Sequence, residues 1–217
     1  MLLPKIIIRH GFLLDPLLRE YFILKQVGIL QGKNLIGQDD LIKNIEEYKK
    51  EWGKYENKIL ESLLNLLPIK FLHNVIDVYV VSYLPRRGAS SPVMIEGDIS
   101  PREFISVLTH EIIHVFLENN DILPKISPLK IYGEMFAEEK DAKTRNHIII
   151  NAMQKYILLD VIWSNVNHAE AVNRKTNDPM RYKYQRAWDI VEGKGYMELI
   201  NEFRNKIESS LRSKKSK

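Results

Sequence analysis

Cysteine is absent from the 217-residue chain. That excludes disulfides and thiolate metal sites, so a metal here would be held by His, Asp or Glu. A long uncharged apolar run is lacking as well. The apolar opening, "MLLPKIIIRHGFLLDPLLREYFILKQVGIL", is broken by Lys5, Arg9, His10, Asp15, Arg19, Glu20 and Lys25, whereas a membrane span needs about 20 nearly uncharged residues. Nor does it have the order of a secretory signal, so a cytoplasmic protein with no membrane partner is expected. Charge of one sign is scarce, with a net of +4. Only the ending "LRSKKSK" concentrates basic residues, and no aromatic side chain interleaves it for base stacking, so a nucleic-acid partner has weak support. Tryptophan is rare, and Trp52, Trp163 and Trp188 fit core positions.

What remains is 45% hydrophobic and 28% charged, enough to bury a core in a single domain over 1–217. Asp15-Pro16 opens a helix carrying Leu17, Tyr21 and Leu24 at helical spacing, and "QGKNLIGQDD" ends it. Leu41, Ile45, Tyr48, Trp52, Tyr55, Ile59, Leu63 and Leu66 then alternate steps of four and three, which predicts one long amphipathic helix and completes an N-terminal helical part over 1–67. In the 68–142 part, "NVIDVYVVSYL" reads as a buried strand, "PRRGASSP" as a turn or loop, and "VMIEG" as a shorter strand. Ser100-Pro101-Arg102-Glu103 is a capping box with proline at the first helical position, so a helix starts at Pro101. Another helical pattern runs from Tyr132 towards Trp163, and a last one from Tyr182 to Leu211, dented by Gly193 and Gly195, fills the 143–211 part ahead of a basic tail over 212–217. The fold class expected is α+β: helices, a small sheet, then more helices.

The chemistry concentrates in "LTHEIIHVFLENN", where His110, Glu111 and His114 fall within five positions of the helix that starts at Pro101. Histidines four apart share a helix face, so both imidazoles reach one ion. The intervening glutamate points about 100° round the helix and touches a metal-bound water instead. Two ligands plus a general base is the physical content of His-Glu-x-x-His. Ile112, Ile113, Val115 and Phe116 make this helix apolar nearly all round, so it is expected to be buried, where imidazoles need polar partners.

A catalytic zinc takes three protein ligands and one open position. Leu117 and Asn120 stand where metzincins have Gly and His, which excludes that class. The segment "YGEMFAEEKDAK" puts Glu134 after the motif, followed by Glu138, Glu139 and Asp141. Here the chain resembles the gluzincins, the thermolysin-like and aminopeptidase N-like zinc peptidases, and "GEMFAEE" is similar to their "NEGFAEY" segment. The resemblance spans 76–142, about a third of the chain. It implies a zincin-like core with a small mixed or antiparallel sheet, zinc as cofactor, Glu134 as third ligand with Glu138 or Glu139 as substitute, and an edge strand in "ASSPVMIEG" that pairs with extended substrate. His147 is left open as a third ligand, but it falls in an Ile-rich helix with no loop signature around it, and the carboxylate option is the better one. An oxyanion donor is sought among His168, Tyr182 and Tyr184.

The function expected is hydrolysis of a peptide bond in a peptide or protein, with Glu111 passing a proton from water to the leaving amine. Nothing resembles the Gly-x-Met-Glu-Asn segment of aminopeptidases, which favours an endopeptidase. Two other classes stand beside it. "LTHEIIHVF" is also similar to SprT-like and ImmA/IrrE-type proteins, which implies a DNA-associated protease or regulator. The third class is a non-catalytic binding protein whose fold is metal-stabilised.

Overall fold

Val75–Val81 (β2) lies inside a four-stranded mixed sheet, and its neighbours fix the geometry of everything downstream. The sheet order is β1 (Lys5–His10), β2, β4 (Val93–Glu96), β3 (Gly88–Ser90). Strands β1, β2 and β4 run parallel, and β3 runs antiparallel to β4 at one edge. The computed structural model describes residues 3–25, 35–84, 87–120, 122–123, 128–163 and 181–215. The alternation is one-sided: Ile6, Ile8, Ile76, Val78, Val80, Val93 and Ile95 are buried, while Asp77 and Tyr79 on the opposite face stay partly open.

Eight α-helices accompany the sheet among the described residues: α1 (Leu14–Lys25), α2 (Gln38–Gly53), α3 (Glu56–Leu66), α4 (Pro101–Glu118), α5 (Pro128–Met135), α6 (Ala142–Tyr156), α7 (Arg181–Lys194) and α8 (Tyr196–Lys215). The architecture is thus α+β with a small mixed sheet. The apolar stripe foreseen over 41–66 is buried at Leu41, Ile45, Tyr48, Trp52, Ile59, Leu63 and Leu66, but the helix breaks at Gly53–Tyr55 into α2 and α3. The expected helix from Tyr132 to Trp163 is likewise two, because Asp141 caps a fresh start by accepting from the Thr144 N–H at 2.8 Å. α6 then runs into a π-helical turn, Ile157–Ile162. Gly195, with φ of 87°, separates α7 from α8, since a left-handed backbone is cheapest for glycine. Two strands were not foreseen: β1 lies in the charged apolar opening, and β3 falls in the stretch expected to be a loop. No described helix is long and apolar enough to cross a membrane.

Helix α4 is the central element. Ser100 caps it by accepting from the Glu103 N–H, and Pro101 occupies the first turn. From Phe104 to Ile113 every residue is buried, because α2 packs along one side, β3 and β4 along another, and α6 along a third. Tyr48 on α2 fixes where α4 begins. Its hydroxyl lies 2.8 Å from the Gly97 carbonyl and 2.7 Å from that of Ile99, and its ring stacks on Phe104 with centroids 4.1 Å apart. Burial pushes the Tyr48 phenol up to about 12, so it stays a donor throughout the physiological range.

Candidate metal centre

Helix α4 carries His110 and His114 one turn apart on a shared face, with ring centroids 5.0 Å apart and edge to face. The third ring comes from α6. His147 stacks 5.7 Å from His110 and lies edge-on to His114 at 5.2 Å. One ligand atom from each of the three falls within 4.8 Å of the others, the one such His, Asp or Glu group among the described residues. His110 and His147 are buried and His114 is partly so.

The hydrogen bonds around the rings decide which nitrogen each offers. His147 Nδ1 lies 2.8 Å from the Lys143 carbonyl, which only accepts, so Nδ1 carries the proton. His110 Nδ1 lies 2.9 Å from Gln154 Oε1. The amide orientation follows from its other end: Gln154 Nε2 donates to the Ser106 carbonyl at 2.9 Å and faces Ser106 Oγ at 3.2 Å. His114 Nδ1 faces the Glu118 carboxylate at 3.5 Å. An imidazole that donates through Nδ1 carries its lone pair on Nε2, and this pattern of outer acceptors is the usual support of metal-bound histidines. The donor set fits a divalent transition metal: three imidazoles, two of them buried, with no thiolate in the chain. Nitrogens in a tetrahedral zinc site sit about 3.4 Å apart for bonds of about 2.0–2.1 Å, so small side-chain rotations close the triangle.

Glu111 reaches the edge of the sheet. It is 5% exposed, and it lies so close to β3 that a Cβ added at Gly88 would overlap its Oε1 and come within 2.9 Å of Val107 Cγ1. The carboxylate is therefore wedged between the motif helix and the antiparallel edge strand.

The remaining expected site residues divide sharply. Tyr184 comes to the cluster, its ring edge-on to His147 at 4.6 Å. Tyr182 is 67% exposed and stays away. His168 lies outside the described residues. Glu134 is not brought to the histidines: it sits half-exposed on α5, facing Lys206 at 3.5 Å and Lys130 at 3.9 Å. The physical reason is rotation, since α5 buries Ile131, Tyr132 and Met135 and so turns Glu134 to solvent. Glu138 is exposed, and Glu139 accepts from the Asp141 N–H and pairs with Arg186, so neither replaces it in the group. Edge pairing is likewise refined, because "VMIEG" is an inner strand and the edge is Gly88–Ser90.

Sequence reasoning also passed over Gln154, Ser106 and Glu118. A signal for the first existed: His147, Asn151 and Gln154 recur at i, i+4 and i+7, a polar stripe in a helix otherwise rich in isoleucine. Compared with family models, curated proteins and solved structures, the chain matches none.

Proposed function

We propose that the protein is a zinc-dependent hydrolase of peptide bonds, with His110, His114 and His147 as ligands and Glu111 as general base. The observation that carries this reading is the convergence of three histidines from two helices, with the motif glutamate held one residue away against an edge strand. Three protein ligands leave a fourth position open, as catalytic zinc sites do and closed structural sites do not. Zinc so bound supplies a water with a pKa near about 7 and polarises a carbonyl.

The chain's own residues then divide the work. Glu111 takes a proton from the water and returns it to the departing amine. The outer edge of β3 offers backbone N–H and C=O groups to an extended peptide, placing a scissile bond beside Glu111. Tyr184, packed against His147, is the donor for the developing oxyanion. A mixed sheet with one antiparallel edge strand beside the motif helix is the arrangement the zincin resemblance implies. The ligand set departs from the gluzincin one.

Metal analysis and peptide digestion test this together. Wild type is expected to hold about one zinc per chain; His147→Ala loses it and Glu134→Ala keeps it. Glu111→Gln keeps zinc and loses cleavage of an unstructured peptide pool. Should Glu134→Ala shed the metal while His147→Ala retains it, the ligand assignment is overturned. Should zinc-loaded wild type leave every peptide intact, the catalytic reading gives way to a metal-stabilised binding protein.

A further inference from the structure

Gln154 occupies an unusual position: it is 3% exposed, on α6, yet its side-chain hydrogen bonds go to α4. Its amide spans successive turns of that helix, with Nε2 on Ser106 and Oε1 on His110, four residues apart. His147 lies on the same face of α6, seven residues earlier, and meets His110 ring to ring at 5.7 Å. The register that lets Gln154 satisfy both Ser106 and His110 is therefore the register that sets His147 opposite His110.

The amide also chooses a tautomer. Because the Ser106 carbonyl accepts only, the NH2 group must face it, and Oε1 must face His110. Nδ1 of His110 is thereby obliged to carry the proton, and Nε2 the lone pair. The outer acceptors differ between two of the rings, a neutral amide for His110 and a backbone carbonyl for His147, while His114 faces the Glu118 carboxylate at 3.5 Å.

We infer that Gln154 is the positioning residue of the metal centre, locking His110 as a ligand through Nε2 and fixing the spacing of α4 and α6 in one stroke. This rests on the metal-site reading above. Gln154 touches neither metal nor substrate, and it acts through His110 and His147. Its loss should weaken metal binding rather than remove a ligand, and supporting partners of this kind typically account for about 10–100-fold in affinity.

The test measures zinc affinity by chelator competition, together with the ligand-field spectrum of the cobalt-substituted protein and the melting of the metal-free protein. Gln154→Met keeps the volume and removes both hydrogen-bonding ends. The expected result is zinc affinity lowered by about 10–100-fold and an altered cobalt spectrum, with His147→Ala as the no-binding control. Ser106→Ala removes only the hydroxyl contact and leaves the carbonyl that orients the amide, so its affinity is expected to stay close to that of wild type. Long-range proton–nitrogen correlation should find His110 protonated at Nδ1 in wild type, and a mixture of tautomers in Gln154→Met. Affinity within twofold of wild type in folded Gln154→Met overturns the inference, and so does a wild-type His110 found protonated at Nε2, whether or not Gln154→Met folds. A wild type that binds neither zinc nor cobalt fails the site reading itself, an outcome distinct from either.

Discussion

At the scale of the residue, the centre depends on small side chains as much as on ligands. Gly88 has no Cβ, and that space is taken by the end of Glu111. Gly88→Ala would force either the strand or the carboxylate to move, and the carboxylate is the tip of a flexible chain while β3 is held in register by Ile95. The expected outcome is zinc content like wild type with peptide cleavage lowered by about tenfold or more, a part of the 10²–10⁴ that a positioned general base contributes. Steady-state rates on zinc-replete protein check it, and full activity in Gly88→Ala would show that the carboxylate works from another rotamer. His110, Glu111 and His114 were legible in the sequence because helical spacing alone puts two imidazoles on one face. His147 was legible only as an alternative, since its partners meet it through the packing of α6 on α4, and no local spacing records that contact. Glu134 lies outside the histidine group for the converse reason: its separation from the motif suits a ligand, but Ile131, Tyr132 and Met135 own the buried face of α5.

At the scale of the element, boundaries written in local chemistry were readable and those set by distant partners were not. Ser100 and Pro101 announce the start of α4, and the β-branched run of β2 announces a strand. The β1 strand has no such mark, since Lys5 pairs with Val75 and the pairing is parallel and non-local. The break between α2 and α3 leaves the apolar stripe in step on both sides, so the periodicity hides it. One boundary carries a pH dependence. Asp141 caps α6 through the Thr144 N–H and pairs with Lys183 on α7 at 2.6 Å, a latch between the helices that bear His147 and Tyr184. The Lys183 ammonium, aided by the Thr144 N–H, holds the Asp141 carboxyl down at about 2, below its ordinary 3.8. A depressed carboxyl contributes stability above its unfolded value and loses it as pH falls through the folded one. The melting gap between wild type and Asp141→Asn, which keeps a capping side chain, should therefore be small but constant near neutrality and close between about pH 4 and pH 2. A gap that persists unchanged to pH 2 would mean that capping, not charge, is what Asp141 supplies.

At the scale of the whole molecule, the histidines join parts that the chain keeps far apart. His110 and His114 belong to the helix packed on the sheet, while His147 belongs to the helical group of α6, α7 and α8. An unfolded chain has no such convergence, so an ion held by all three binds the native state and adds to its stability by mass action. With free zinc at about 100 times the dissociation constant the gain is about 2.7 kcal/mol, which for a chain of this size raises the melting temperature by roughly 5–10 °C. Zinc-loaded protein and protein stripped with EDTA should then melt that far apart. The gap should vanish in His147→Ala, because a pair of ligands on one helix spans no interface, and it should survive in Glu134→Ala. Coincident melting of the loaded and stripped wild type would show that no ion bridges α4 and α6, which would then be joined by apolar packing and the Gln154 hydrogen bonds.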